Sequence, residues 1–383
     1  MNSELMPYYC VLMRGGTSKG IFLHENDLPQ DPVERDKVIL SIFGSPDPRQ
    51  IDGLGGAEPL TSKLAIIGPP SRPDADVDYT FGQVEINMAK IHYSGLCGNI
   101  SSAVGPYAIE EGLVRATDPI TRVRVHSKNT NQIFIAEVPV RDGKPRVNGD
   151  YKVDGVPGTG SHIQIDMVGT VGSVAGKLLP TGHVKDKIQV DGLGEITVSI
   201  IDVTNPCIFV HAKELGLKGY EAPNDIKGNT TLLENVEKIR AIGAKMIGIK
   251  DWGKSEVKDP IPFLVFVSPP RDYVNHLTKE TIQADSVDFL ARLIFLGVMH
   301  QTFAGSVSCA TGTAAVIPGS VVNEVARLEK GQEVVRLGHP GGVIEVEAEG
   351  EEIPDQGFSM KRVTYGRTAR RIMDGHVYVR QNV

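Results

Sequence analysis

The sequence predicts an α+β protein made of two similar domains, and three observations support this prediction. At 383 residues, the chain is longer than a single hydrophobic core usually allows. Two motifs of the first half recur in the same order in the second half, which is typical of an internal repeat. Alternating strand-like segments and apolar helical runs occur in both halves, so we expect each domain to combine strands with helices.

The first repeated motif is a strand that follows a turn and ends in a histidine. Residues 17–24 (TSKGIFLH) align with residues 204–211 (TNPCIFVH). The second motif sets a cysteine before small residues and an apolar helical run, at 96–100 (LCGNI) and again at 308–312 (SCATG). An amphipathic helix predicted over 232–249 accounts for the longer spacing in the second half. We therefore expect two pseudo-symmetric domains.

The boundary between these domains is expected near residues 178–182, where composition and chain direction change at a Leu-Leu-Pro-Thr-Gly segment. This places the first domain at 1–183 and the second at 184–369. A C-terminal strand at 370–383 is expected to return to the first domain and complete its sheet.

Local signals in the first half define a hairpin and a helix. Short strands at 11–13 and 21–23 flank a turn at 14–20, whose glycines and small hydroxyl residues can bring the backbone close to a ligand. A helix is expected from Pro32, with Asp31 as its N-cap, because proline is favoured at the first helical position.

Periodicity predicts the elements that follow. Alternation indicates strands at 79–92 and 122–140, the second interrupted by a polar turn at 127–131. In the second half, apolar spacing predicts a long helix over 285–300 with Asp285 as its N-cap.

Composition excludes several classes of function. The formal net charge is −7, and no Lys/Arg-rich run occurs, which argues against nucleic acid or an anionic membrane as a partner. The four cysteines are widely spaced and form no metal-ligand or disulfide pattern, so we expect free thiols and no metal. The N-terminal residues lack a signal-peptide pattern, and no run of eighteen apolar residues occurs. These features indicate a cytoplasmic protein.

The segment around Cys97 is the strongest candidate for chemistry. Cys97 lies between glycine-containing turns at the start of a predicted helix, where backbone N–H groups and the helix dipole favour a thiolate or a bound carboxylate. The alternative is a buried structural cysteine in a glycine-rich turn.

Lys63 is the second candidate, because it ends a glycine-rich loop and adjoins an apolar strand. Burial of its side chain would favour the neutral amine, which can act as a base. A solvated surface lysine is the alternative. Three basic residues near the C-terminus could bind a carboxylate, namely Arg367, Arg370 and Arg371. A solvated or salt-bridged arginine is the commoner role.

If the two domains face each other, their helix N-termini would present two anion sites to one substrate, and a dicarboxylate fits this arrangement. Lys63 and Cys97 are then the candidate acid/base residues, with Cys309 as a possible second one. The candidate substrate-binding residues are Thr17, Ser18, Gly98, Asn99, Ile100, Ala310, Thr311 and Gly312.

Several of these motifs together resemble the PrpF family. The motifs are residues 14–20, Thr61-Ser62-Lys63, Cys97-Gly98-Asn99, 179–182, Asn205-Pro206, Met299-His300 and Gly338-His339-Pro340. The resemblance implies the diaminopimelate epimerase-like fold, in which each domain wraps a sheet around a central helix, and catalysis without a cofactor. Lys63 and Cys97 match the positions that move the proton in this family, whereas Cys309 matches the second catalytic cysteine of the epimerases.

The resemblance implies an isomerase that moves a C=C bond in a small unsaturated dicarboxylate or tricarboxylate. We expect conversion of 3-methylitaconate to 2,3-dimethylmaleate, with 2-methylaconitate isomerisation or 4-oxalomesaconate tautomerisation as alternatives. An amino-acid epimerase that uses Cys97 and Cys309, and a non-catalytic carboxylate-binding protein, are further alternatives. The resemblance also implies a homo-oligomer.

Overall fold

The computed structural model of the chain describes residues 4–93, 95–250, 252–254, 259, 261–295, 297–354 and 357–381. Its contacts divide the chain into two compact units. The first unit comprises Met1–Ile165 and Arg367–Val383, and the second comprises Asp166–Gly366. No helix in the described ranges has the length and apolar character needed to cross a membrane.

In its described residues, the first unit contains two α-helices and a series of strands. The helices are α1 (Pro32–Phe43) and α2 (Gly98–Glu110). The strands are β1 (Leu5–Gly15), β2 (Ser18–His24), β3 (Lys63–Gly68), β4 (Val77–Val84), β5 (Ile91–His92), β6 (Ile120–Ser127), β7 (Gln132–Arg141), β8 (Lys144–Pro145), β9 (Tyr151–Lys152) and β10 (Thr159–Gly160), with β11 (Ile163–Asp166) at the boundary.

The second unit is also built from helices and a series of strands. Its helices are α3 (Pro223–Ile226), α4 (Thr230–Met246) and α5 (Gly305–Val316). Its strands are β12 (Asp186–Val190), β13 (Gly194–Val203), β14 (Asn205–His211), β15 (Phe263–Ser268), β16 (Tyr273–Val274), β17 (Thr281–Ile282), β18 (Phe289–Phe295), β19 (Val298–Met299), β20 (Val334–His339), β21 (Gly342–Ile353) and β22 (Gly357–Arg367). The last strand, β23 (Ala369–Arg380), returns to the first unit, as the sequence predicts.

The two units share one strand order. In the first, the order β23-β1-β2-β3-β4-β6-β7 joins β2 to β3 and β4 to β6 in parallel, and all other neighbours antiparallel. In the second, β12-β13-β14-β15-β18-β20-β21 has the same directions at the same places. The predicted internal repeat therefore extends to the whole topology of each unit.

A central helix lies inside each sheet. Helix α2 contacts strands across the width of the first sheet, namely β1, β2, β3, β6 and β7. Every residue of the helix from Gly98 to Ile109 is buried. Helix α5 likewise contacts β13, β14, β20 and β21. A helix that is buried all round needs small and apolar residues on every face, and the serines, glycines and alanines of both helices meet this need.

Helix α1 covers the opposite face of the first sheet. Asp31 accepts hydrogen bonds from the N–H groups of Val33 and Glu34, which confirms its predicted role as the N-cap, and Gly44 ends the helix in the left-handed conformation. The buried residues of this layer include Ile21, Leu23, Ile39, Ile42, Phe43, Leu64 and Ile66. Helix α4 packs in the same way on the second sheet through Val236 and Ile239, so its predicted apolar face is confirmed.

The predicted helix over 285–300 is wrong. Residues 284–286 form a 3₁₀ turn that includes Asp285, and Phe289–Phe295 is the strand β18. The residues from Val287 to Ile294 are all buried, because both faces of this strand are covered. An apolar run buried on both faces has no alternation, and periodicity alone does not distinguish it from a buried helix.

The units also divide earlier than the sequence predicts. Residues 166–183 belong to the second unit, because their backbone groups bond to it: Gly172 N–H donates to Asp202 O, and Asp202 N–H donates to Leu178 O. The Asp202 carboxylate accepts two further bonds from the N–H groups of Val174 and Ala175. The Pro-Gly turn near residue 180 is therefore a turn inside the second unit.

Candidate active site

Cys97 is the N-cap of α2. Its backbone is extended, with φ −100° and ψ 101°, and Gly98 is the first helical residue. The Cys97 side chain is half-buried, whereas the other three cysteines are buried. The structure thus confirms the predicted position of a thiol at the N-terminus of a helix, where the helix dipole favours negative charge.

Lys63 is the first residue of β3, and its side chain is only 7% exposed. Its Nζ donates to Gln83 Oε1 over 2.7 Å and lies 5.5 Å from the centre of the Phe81 ring. The Gln83 amide is fixed in turn, since its Nε2 donates to the carbonyl oxygens of Pro59 and Ser62. The alternative of a solvated surface lysine is therefore wrong.

Strand alternation shows that Lys63 lies on the α2 face of the sheet. Gly20 pairs with Lys63 in the parallel register of β2 and β3, and a Cβ on Gly20 would lie 3.0 Å from Ile100 Cδ1 in α2. Two residues along β2 on the same face, the Phe22 ring lies 5.3 Å from the Tyr107 ring of α2. The N-terminal end of α2, where Cys97 lies, is thus the end near Lys63.

The turn between β1 and β2 packs directly on the first turn of α2. A Cβ on Gly15 would lie 2.4 Å from the Asn99 carbonyl oxygen, and one on Gly16 would lie 2.3 Å from Asn99 Oδ1. Gly16 also has φ +50°, a left-handed conformation that side chains disfavour. These two glycines allow the turn to place Thr17 and Ser18 beside the helix N-terminus.

Thr17 and Ser18 present hydroxyl groups at this place. Thr17 is half-buried, and its Oγ1 accepts a hydrogen bond of 3.0 Å from Asn99 Nδ2. Ser18 is on the same face of β2 as Gly20 and is 2% exposed, and its Oγ has no hydrogen-bond partner among the described residues. A buried hydroxyl of this kind is expected to bond to a ligand or a water molecule.

Two of the three candidate arginines have structural partners. Arg367 is 4% exposed, and its Nε donates to Asn99 Oδ1 over 3.1 Å. Arg371 forms ion pairs with Glu110, Glu111 and Asp374, so it has the salt-bridged role that the sequence left open.

The structure adds two residues that the sequence did not indicate as part of the site. Gln83 holds Lys63, and Asn129 holds the chain before Cys97, since its Nδ2 donates to the carbonyl oxygens of Tyr93 and Phe81. Gln83 lies on the same face of β4 as Phe81, and this alternation was the only local signal. Asn129 lies in the predicted polar turn, where its role depends on tertiary contacts.

Cys309 is not at a helix N-terminus, and this corrects the sequence alignment of the two halves. The N-cap of α5 is Ala304, and Cys309 is the fifth helical residue and fully buried. Aligning the helix starts sets GNISSAVG of α2 over GSVSCATG of α5, so Cys97 corresponds to Ala304, and Cys309 corresponds to Ser102. The candidate residues Ala310, Thr311 and Gly312 likewise lie inside the buried helix.

The equivalent of Lys63 in the second unit is also a different residue. Cys207 pairs with Phe263 in the parallel register of β14 and β15, just as Gly20 pairs with Lys63. The Phe263 ring packs 5.4 Å from the Phe295 ring, in the place of the contact between Lys63 and Gln83. In the second unit, Ala304 therefore occupies the position of Cys97 and Phe263 that of Lys63, which counts against an epimerase that uses Cys97 and Cys309.

Within the ranges that the structure describes, no three His, Cys, Asp or Glu side chains are grouped as a metal site requires.

Known structures define the class of fold. A hydroxyproline epimerase from Agrobacterium vitis is 13% identical and superposes with a TM-score of 0.59, covering 100% of this chain and 94% of that one. At this identity the likeness shows the fold alone. It is the diaminopimelate epimerase-like fold, so the prediction of the fold class is confirmed.

The family model described as PrpF protein matches residues 6–380, and the chain belongs to this family. A 3-methylitaconate isomerase from Eubacterium barkeri is 53% identical over 379 residues, which are 98% of each chain. The crystal structure of a methylitaconate-delta-isomerase is 52% identical, with a TM-score of 0.84, and covers 99% of this chain and 97% of that one. The chain is an isomerase, as predicted.

Proposed function

We propose that the protein catalyses an allylic proton shift in 3-methylitaconate, which moves the C=C bond and gives 2,3-dimethylmaleate. The observations that support this proposal are the burial of Lys63 at the start of β3, on the face of the sheet that α2 covers, and the position of Cys97 as the N-cap of α2. The relatedness to a 3-methylitaconate isomerase over nearly the whole chain supports the choice of substrate.

The reaction needs one base and one acid. A base removes the proton from the carbon that carries the methyl group, next to one carboxylate, and the electron pair spreads through the double bond as a dienolate. An acid then donates a proton to the terminal CH₂ carbon, which becomes a methyl group. Electrons move only within the substrate, so the reaction requires no external oxidant, reductant or cofactor.

Lys63 is proposed as the base and Cys97 as the acid. The Lys63 amine is held by Gln83 and shielded from solvent, so its position is set before the substrate binds. The Cys97 thiolate that forms on proton donation is stabilised at the helix N-terminus. Since the reaction is reversible, each group serves in both senses.

The surrounding donors are proposed to hold the carboxylate and the developing enolate charge. The N-terminal turn of α2 supplies N–H groups, and the hydroxyl groups of Thr17 and Ser18 lie beside it. Donors fixed before the reaction act like an oxyanion hole, in which the loss of one donor costs about 3 kcal/mol.

The purified protein should be incubated with 3-methylitaconate, 2-methylaconitate and 4-oxalomesaconate separately, and the ultraviolet absorbance of the unsaturated acids followed. We expect turnover of 3-methylitaconate to be fastest, with one deuterium incorporated into the product in deuterated water. Faster turnover of another acid would transfer the assignment to that acid. Binding of a dicarboxylate such as citraconate without turnover of any acid would contradict the proposed catalysis.

A further inference from the structure

We propose that Arg367 is a positioning residue that acts through Asn99 on Thr17, and that it directs the Thr17 hydroxyl proton at a substrate carboxylate. This inference rests on the proposed function for the identity of the ligand. The contacts that link Arg367, Asn99 and Thr17 all lie within the first unit.

The first step is the orientation of the Asn99 amide. Arg367 Nε donates to Asn99 Oδ1 over 3.1 Å, and both side chains are at least 96% buried. A guanidinium has only donors, so the atom of Asn99 that faces it must be the oxygen. The Asn99 Nδ2 donor must then point the other way, and it lies 3.0 Å from Thr17 Oγ1.

The second step is the direction of the Thr17 hydroxyl. Because Asn99 Nδ2 can only donate, Thr17 Oγ1 is the acceptor of this hydrogen bond, and its own proton must point elsewhere. Thr17 donates to no residue in the described part of the chain, and its side chain is half-buried beside the N-terminus of α2. An acceptor-only ligand such as a carboxylate suits this donor.

The surrounding contacts fix the position of Arg367, so it can orient the hydrogen bonds from Asn99 to Thr17. Its Cδ lies 3.0 Å from the position of a Cβ on Gly16, so the arginine packs against the glycine turn. The neighbouring Thr368 accepts hydrogen bonds from the N–H of Gly16 and from Arg14 Nη1. Arg14 Nη1 also donates to Gly16 O, which ties the turn and the segment at 367–368 together.

Loss of Arg367 has a specific consequence in this arrangement. Without the guanidinium, the Asn99 amide can turn over, and its oxygen can accept the Thr17 hydroxyl proton. The Thr17 proton is then no longer presented to the ligand, although Thr17 itself is intact. Removing the Thr17 hydroxyl from a variant that already lacks Arg367 should therefore cause little further loss of affinity for the carboxylate.

A double-mutant cycle tests this expectation. The Kd for citraconate and the KM and kcat for 3-methylitaconate should be measured for Thr17→Val, Arg367→Met and the double variant, with thermal unfolding recorded for each. We expect Thr17→Val to raise Kd and KM roughly tenfold, as for loss of a hydrogen bond to a charged group. Arg367→Met should raise Kd and KM at least as much as Thr17→Val does. The Kd and KM of the double variant should be no higher than those of Arg367→Met.

Arg367→Lys is the matched control, because its ammonium can still donate to Asn99 Oδ1. It should recover most of the affinity only while Thr17 is present. Additive losses in the double variant, or equal recovery by lysine in the Thr17→Val background, would overturn the inference. If the wild-type protein binds citraconate but turns over none of the acids, the proposed function fails while the binding cycle still decides the role of Arg367.

Discussion

Gly20 and Lys63 are paired across β2 and β3, and a Cβ on Gly20 would lie 2.9 Å from the Lys63 carbonyl oxygen. The same Cβ would lie 3.0 Å from Ile100 Cδ1. The absence of a side chain at position 20 therefore sets the spacing between the proposed base and the helix that carries the proposed acid.

Gly20→Ala should displace Lys63 or α2, because the Lys63 backbone cannot move away as a flexible side chain can. We expect a loss of stability of about 1–3 kcal/mol, typical of overpacking, and a fall in kcat of roughly tenfold or more from misplacement of the reacting groups. The matched control is Gly82→Ala, whose Cβ would meet the Leu64 Cδ2 and Ile91 Cγ2 methyl carbons at 2.8 and 3.0 Å. Equal losses of kcat in the two variants would contradict a specific role of Gly20.

Gln83 provides a test of how Lys63 is positioned. Gln83→Leu removes the oxygen that accepts a hydrogen bond from the Lys63 amine, so the amine is no longer held in one place and kcat should fall roughly tenfold or more. Initial rates with 3-methylitaconate measure this effect, with thermal unfolding recorded to show that the variant is folded. A folded Gln83→Leu variant with the kcat of the wild type would show that this hydrogen bond does not position the proposed base.

Cys97 should be the most reactive thiol of the native protein. Cys10, Cys207 and Cys309 are buried, and burial raises the pKa of the Cys10 and Cys207 thiols, whereas Cys97 is half-buried at a helix N-terminus. A disulfide reagent at neutral pH is expected to modify one thiol rapidly, and citraconate is expected to slow this reaction.

Cys97→Ala should abolish the rapid phase, and Cys10→Ala should leave it unchanged. A rapid phase that survives in Cys97→Ala would show that another thiol is the accessible one.

The first unit should lose stability in acid through Asp78. Burial of this carboxyl acts to raise its pKa, but hydrogen bonds from Ser71 and His126 outweigh burial and hold the pKa below its usual value. Its stabilisation is therefore present above the unfolded-state value of about 3.9 and lost as the pH falls through the folded-state value.

Asp78→Asn should lower the free energy of unfolding at pH 7 by about 1–3 kcal/mol, since a neutral amide oxygen replaces the charged acceptor of the hydrogen bonds from Ser71 and His126. It should also flatten the decline of stability below pH 5. Urea unfolding at pH 7 and at pH 3.5 measures both effects. Asp74→Asn removes an exposed carboxylate and is the control, with a smaller effect at both pH values. A larger effect of Asp74→Asn would assign the acid sensitivity to the surface.

Local patterns predicted much of the fold because several elements carry their own signals. Asp31, Pro32 and Gly44 mark both ends of α1, and the repeat of residues 17–24 correctly identified β2 and β14 as equivalent strands. The strand β18 was mistaken for a helix because both of its faces are buried, and burial on a second face depends on the tertiary structure.

The candidate site was predicted only in part. Lys63 and Cys97 carry a local signal, since a glycine-rich loop precedes Lys63 and Cys97 lies between Gly95 and Gly98. Cys309 was aligned with Cys97 by residue type, whereas the helix starts align Cys97 with Ala304. The orientation of Asn99 by Arg367 joins residues far apart in the chain, and no local pattern predicts such a contact.

The most direct test of the proposed mechanism is the turnover of 3-methylitaconate by Lys63→Met and Cys97→Ala, with Cys309→Ala as the control for loss of a thiol. We expect each of the first two variants to fold and to bind citraconate but to lose at least about a hundredfold in kcat, as expected for a positioned acid or base, and Cys309→Ala to retain most of its turnover. A kcat close to that of the wild type in either Lys63→Met or Cys97→Ala would contradict the mechanism.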